Sequence, residues 1–249
     1  MIHYHGTPIG GSRQDVARFL MGRHALVPFA RQDDLPIVQE VCQSYIFDNS
    51  AYRYWKQGCG EVPFDDYVDW VKANYQHPGF DWALIPDKID GDVEQNARLV
   101  RDWLRCGLKA KGVPVWHLHE PLEYLDWLVS NFQTVAIGSS GQWATPGTTA
   151  WWQRMAQAMT VCCDSRGRPR CKLHGLRMLD IDIFARLPFA SGDSTNAAVN
   201  CGSLSRFGSY LPPTAAQRAA VIAERIEAHN SAHVWVAPAR QLELTDGAA

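Results

Sequence analysis

No run of the roughly 18 apolar residues that a membrane span requires occurs anywhere in this 249-residue chain. Residues 1–11 carry neither the basic nor the apolar region of a signal peptide, which predicts a cytoplasmic protein. Charge of one sign is lacking too. The 24 lysines and arginines stand against 26 aspartates and glutamates, so a formal net charge of −2 supplies no global basic field for nucleic acid. Any such contact must be local. Cysteine is scarce and unpatterned: seven residues, an odd number without regular spacing, fit reduced thiols better than a disulfide framework. What the chain does have is apolar material for a sizeable core, 46% against 20% charged residues, which excludes a disordered protein. It also has ten tryptophans, flat side chains that line pockets as well as cores.

Short apolar runs that end in polar or glycine-rich residues alternate with amphipathic stretches. Eight strand candidates fall at residues 2–5, 25–29, 44–47, 82–85, 113–118, 134–137, 171–176 and 189–191. Helix candidates lie at 14–21, 35–42, 65–75, 93–108, 122–132, 149–160, 181–187 and 215–229. In the third of these, Tyr67, Val68, Val71 and Tyr75 recur at the helical period. The strand candidates are almost continuously apolar, as strands covered on both faces are. Eight strand–helix units predict an α/β fold: a single parallel, eight-stranded (β/α)8 TIM barrel over residues 1–241, with a frayed tail over 242–249. A doubly wound open sheet is the alternative that strand counting leaves open.

In a barrel, chemistry belongs at the C-terminal ends of the strands. Polar clusters stand there: His5-Gly6-Thr7-Pro8 followed by Gly10-Gly11, Asp48-Asn49-Ser50, Pro86-Asp87-Lys88, His117-Leu118-His119-Glu120, Gly138-Ser139-Ser140-Gly141, His174-Gly175-Leu176-Arg177 and Ser191-Gly192-Asp193-Ser194-Thr195. Each of Asp48, Asp87 and Asp193, taken alone, could equally cap the next helix. Three at one rim shift the balance towards a nucleophile, a general acid/base and a binder of N–H groups.

His3-Tyr4-His5 and His117-Leu118-His119 each place two imidazoles on one strand face, a spacing that suits a metal, with His174 and Asp193 as further ligands. The ordinary alternative is histidines that only hydrogen-bond. Cys162, Cys163, Cys171 and His174 lack the spacing of a zinc site and read better as buried thiols. Ala136-Ile137-Gly138-Ser139-Ser140-Gly141 would bring bare backbone N–H groups to a ligand oxygen, or is a plain tight turn. Arg166, Arg168, Arg170 and Lys172, a basic run beside Trp151 and Trp152, is either a solvated loop or a contact to a nucleic-acid backbone.

Taken in order, these clusters resemble the tRNA-guanine transglycosylase superfamily (the queuine tRNA-ribosyltransferases), and within it the phage and genomic-island relatives that insert 7-deazaguanine bases into DNA. The resemblance covers roughly residues 44–195. Phe47-Asp48-Asn49-Ser50-Ala51 is similar to the family's Asp-Ser-Gly segment, Ile85-Pro86-Asp87 to its Phe-Asp-Glu segment, and Ala136-Ile137-Gly138-Ser139 to its Ala-Ile-Gly-Gly turn. His174-Gly175-Leu176-Arg177 and Phe189-Ala190-Ser191-Gly192-Asp193 resemble its seventh and eighth strands. The family's zinc motif is absent, so no cofactor or metal is carried over. Its base-binding glutamine has no match either, and His117 or His119 stands in its place.

The resemblance implies a pentosyltransferase that exchanges guanine in a nucleic acid, DNA rather than tRNA, for a 7-deazaguanine. Asp193 would be the nucleophile of a glycosyl-aspartate intermediate and Asp48 the proton carrier. Asp87, His117, His119, Gly138, Ser139 and His174 would bind the base, with Trp143 or Tyr52 stacked on it. Arg166, Arg168, Arg170 and Lys172 would hold the strand, with the target nucleotide flipped into the pocket. No membrane partner is implied, and homodimer formation is left open. Two other readings remain: an amidohydrolase-like hydrolase with a metal on His3, His5 and Asp193, and a relative that binds a base or nucleic acid without catalysis.

Overall fold

The computed structural model describes residues 1–7 and 12–237; the loop residues Pro8, Gly10 and Gly11 and the tail expected over 242–249 lie outside them. The strands are β1 (Ile2–Gly6), β2 (His24–Pro28), β3 (Ser44–Asp48), β4 (Phe80–Leu84), β5 (Gly112–Val113), β6 (Val115–His117), β7 (Thr134–Gly138), β8 (Lys172–Gly175) and β9 (Ser191–Ser194). The helices are α1 (Arg13–Leu20), α2 (Leu35–Val41), α3 (Ala51–Gln57), α4 (Phe64–Asn74), α5 (Val93–Arg105), α6 (Leu122–Asn131), α7 (Thr149–Cys162), α8 (Ile181–Phe184), α9 (Asn196–Asn200) and α10 (Ala215–Glu227).

Every strand pairing is parallel, in the order β5-β4-β3-β2-β1-β9-β8-β7-β6. Only Pro114 separates β5 from β6. A proline has no N–H for the ladder, so the strand is interrupted there. Its neighbours on both sides are nevertheless held: Ile85 N–H donates to the Val113 carbonyl and Ala136 N–H to the Pro114 carbonyl, each at 2.9 Å. The two halves are one strand that joins both ends of the sheet. The fold is a closed eight-stranded TIM-type barrel.

Local sequence explains the helices. Ser12 with Asp15, Asp92 with Gln95 and Thr214 with Gln217 form reciprocal capping boxes that start α1, α5 and α10. Outward strand residues such as Val27, Phe47 and Ile137 join the buried helix faces in one large apolar layer. Inside the barrel the apolar clusters are small: Tyr4, Leu26 and Ile46 on one side, Leu84, Val113, Val115 and Ala136 on the other. Beside them the interior is polar, because His174, Ser191 and Asp193 are buried there.

The expected elements are present within a few residues, with three differences. Helices α3 and α9 are short additions that the hydrophobic period does not reveal. The last strand lies at Ser191–Ser194 rather than 189–191. Its inward side chains, Ser191 and Asp193, are polar because His174 bonds both, so hydrophobicity marks only the residues before it.

Gly112 sits where a Cβ would overlap the indole nitrogen of Trp103, a fully buried side chain whose N–H donates to the Leu108 carbonyl at 3.1 Å. Gly112→Ala is expected to lower stability by about 1–3 kcal/mol through overpacking. Urea denaturation checks this, and an unchanged midpoint would contradict it.

Candidate active site

The C-terminal mouth of the barrel holds a cavity of about 190 Å3. Its polar lining includes Asp48 at the end of β3, Asn49 beyond it, Asp87 after β4, His117 at the end of β6 and Asp193 on β9. Gly138 at the end of β7, Ser139 after it, Tyr52 on α3 and Arg177 after β8 complete the polar side, with Leu26, Leu84, Ile89 and Leu176 as apolar wall.

Asp87 is fixed from two sides. Asn49 donates to one oxygen at 2.7 Å and the His117 Nε2–H to the other at 2.7 Å. Asp193 is fixed likewise: His174 Nε2–H donates at 2.8 Å to one oxygen and the Arg177 backbone N–H at 3.1 Å to the other. With its proton on Nε2, His174 accepts the Ser191 hydroxyl at Nδ1, 2.8 Å away. Burial alone would lower the His117 imidazole; the hydrogen bond and charge of Asp87, with the charge of Glu120, carry it the other way, so it is raised.

Asp48 differs from both. Among the described residues only the Ser50 backbone N–H, at 3.1 Å, contacts its carboxyl group. Burial pushes the group up, the nearby charges of Asp193 and Asp87 add to this, and the Ser50 N–H and Arg177 pull it back; the balance is about 7. Ser50 and Arg177 are the only described non-glycine residues with left-handed backbones, at φ 66° and 59°. Both turn their N–H groups onto a site carboxylate. Strained backbone of this kind persists where surroundings over-determine it, as at functional sites.

Behind His117 runs a supporting network. Glu120 is buried and accepts the His117 backbone N–H at 2.8 Å and the Asn96 side-chain amide at 2.9 Å. Asn96, from α5, also bonds both backbone groups of Lys88 and so ties the Asp87 loop to the strand that carries His117. Spacing in sequence gives no sign of Asn96, which reaches the mouth from the middle of the chain. Glu120 and Arg177 were within the rim clusters, but nothing there marked Glu120 as a support or Arg177 as lining.

The remaining expected residues do not join the cavity. His119 bonds the Ser140 hydroxyl at 2.7 Å and the Gly91 carbonyl at 2.9 Å. His174 is fully buried beneath Asp193 and edge-on to Trp82 at 4.9 Å. Trp143 packs against the Arg154 guanidinium, 5.1 Å from its ring centre. Arg166, Arg168, Arg170 and Lys172 precede or begin β8, which places them at the N-terminal end of the barrel, opposite the mouth. Arg170 is spent on Asp126 at 2.6 Å and Ser130 at 2.7 Å.

The metal reading fails on strand parity. His3 and His5 point outward from β1, to the His229 carbonyl at 3.1 Å and to Glu227 at 2.8 Å, whereas Tyr4, in register with Asp193, points inward. Among the described residues no three His, Cys, Asp or Glu side chains converge as a metal site. Cys162 and Cys163 are buried free thiols, and burial pushes Cys163 up to about 11.

No protein-family model matches the chain, and no curated protein matches it. Solved structures do. A tryptophan synthase α-subunit mutant from the hyperthermophile Pyrococcus furiosus superposes with a TM-score of 0.53 at 15% identity, covering 92% of this chain and 97% of that one. The tryptophan synthase α2β2 complex of the same organism gives 0.52 at 14% over 91% and 96%, and a further structure of the complex 0.53 at 13% over 92% and 98%. At this identity the likeness shows the fold.

These neighbours overturn the expected relationship. They are barrels of a different family, and none is a tRNA-guanine transglycosylase. The pentosyltransferase activity, the 7-deazaguanine exchange and the phage DNA-modification role inferred from that resemblance fall with it. The physical reason is that any barrel sets short polar and glycine-rich loops at its strand ends, so brief motifs in the right order match without common descent. The glycosyl-aspartate role of Asp193 rests on the same resemblance and falls with it.

Asp48 titrates at about 7 in the folded chain, above the ordinary aspartate value near 3.8. Between those two pH values Asp48 holds its proton in the folded state and not in the unfolded one, so its contribution to stability is lost as pH rises from about 4 to about 7. Asp48→Asn removes this loss and is expected to raise the urea midpoint above wild type at pH 8 but not at pH 4. Equal midpoints at pH 8 would contradict the shifted carboxyl group.

Proposed function

We propose that this chain is an enzyme that carries protons to and from a small, donor-rich organic substrate in the barrel mouth. One observation carries the reading: Asp48, raised to about 7, faces a cavity in which the other two carboxylates are each held by a histidine. A group poised near neutrality can give a proton and take it back with similar ease, which is what general acid–base catalysis needs.

The parts divide as follows. Neutral Asp48 donates its carboxyl proton to the substrate and, once a carboxylate, accepts one in return. Asp87 and Asp193, anchored and acceptor-only, draw amine, amidine or ring N–H groups and stabilise positive charge that develops there. A single carrier that returns to its starting state after each turnover suits an isomerisation or an elimination. The cavity, about 190 Å3, is smaller than drug-sized pockets of roughly 300 Å3 and upward, so it takes a small molecule or the polar end of a longer one.

The test is a panel of amines, amidines and nitrogen heterocycles incubated with the protein in D2O and followed by proton NMR. At least one compound is expected to exchange a C–H proton or be converted, with Asp48→Asn slower by about 10²–10⁴-fold. A panel left untouched by wild type, or an Asp48→Asn variant as fast as wild type, overturns the reading.

A further inference from the structure

Beside the catalytic cavity lies a second compartment of about 270 Å3. The two share Ala51, Asp87 and Ile89 as lining, so they adjoin along one wall. The outer compartment is built around Trp55 of α3. Trp55 is 48% exposed, which leaves apolar surface uncovered. It is not loose, however: the indole N–H donates to Asp90 at 3.2 Å, and the ring leans on Tyr52 with centres 5.7 Å apart. Tyr52 in turn lies under the Arg177 guanidinium, 4.0 Å from its ring centre. An aromatic path therefore leads from the catalytic cavity outward, and an ion pair between Lys88 and Glu61 at 2.7 Å lines the outer compartment.

An exposed indole with its rotamer fixed by a hydrogen bond costs little to order on binding and offers a flat face to a planar group. Among the described residues the one cation lining the outer compartment, Lys88, is already paired, whereas Asp87 and Asp90 are there too. The charge suits a neutral or cationic ligand and disfavours an anionic one.

We infer that the outer compartment is a subsite for a planar ring, and that the substrate is elongated, with an N–H-rich head in the catalytic cavity and a ring laid on Trp55. This rests on the donor-seeking reading of the inner cavity given above. It adds the second half of the molecule.

Two probes separate the two claims: benzamidine, which carries the N–H-rich head alone, and 4-phenylbenzamidine, which adds a second planar ring for the outer compartment. Affinities are measured by calorimetry on the full chain, with Trp fluorescence as a second readout. The second ring is expected to gain about tenfold in affinity, the scale of one aromatic contact. Trp55→Ala should erase that gain and leave benzamidine binding unchanged, and Trp55→Phe should restore part of it. Equal affinity of the two amidines, or a gain that survives Trp55→Ala, overturns the subsite alone. Failure of both amidines to bind overturns the inner-cavity reading and the subsite together, and failure of 4-phenylbenzamidine alone overturns the subsite alone. A change in the circular dichroism of Trp55→Ala would transfer the test to Trp55→Phe, for which an unaltered gain together with unaltered fluorescence quenching overturns the subsite.

Discussion

The site depends on two buried histidine–aspartate pairs, His117–Asp87 at 2.7 Å and His174–Asp193 at 2.8 Å. Each imidazole N–H takes up one oxygen of its carboxylate, and a second donor, Asn49 or the Arg177 N–H, takes up the other. Two anions are thereby held at fixed places in a low-dielectric cavity. A third carboxyl group in the same cavity, Asp48, cannot ionise at its ordinary pH, because burial and then like charge oppose it. The protonation of Asp48 thus follows first from its burial, and the charges of its anchored neighbours add to it.

That anchoring extends into the fold. Asp193 stands on the strand itself, and His174 occupies the neighbouring one, so their pairing is set by the β8–β9 register. Asp87 sits on a loop and needs more: Asn96 holds the loop backbone from α5, and Glu120 links Asn96 to the strand carrying His117. The left-handed turns at Ser50 and Arg177 bring backbone donors to Asp48 and Asp193 at the expense of local conformational preference. Closure of the barrel through the interrupted strand at Pro114 keeps these loops on one rim.

Much of this was legible in the sequence. The alternation of apolar runs and amphipathic stretches gave the barrel, and the rule that chemistry lies at strand ends brought forward Asp48, Asp87, His117 and Asp193, all of which line one cavity. Strand parity was not legible. In a parallel strand covered on both faces, His3, Tyr4 and His5 carry no mark of which side is inward. Long-range supports such as Asn96 were hidden for a related reason, since a polar residue in a helix looks the same whether it faces water or a buried glutamate. Kinship was not legible either, because loop motifs four or five residues long are too short to separate one barrel family from another.

The central claim concerns the charge state of one carboxyl group. Carbon-13 NMR titration of the aspartate side chains, assigned through Asp48→Asn, measures it directly. The account predicts that Asp48 titrates at about 7 and that Asp193→Asn lowers this value by removing a like charge. Titration of Asp48 in the ordinary aspartate range near 4, unmoved by Asp193→Asn, would contradict it.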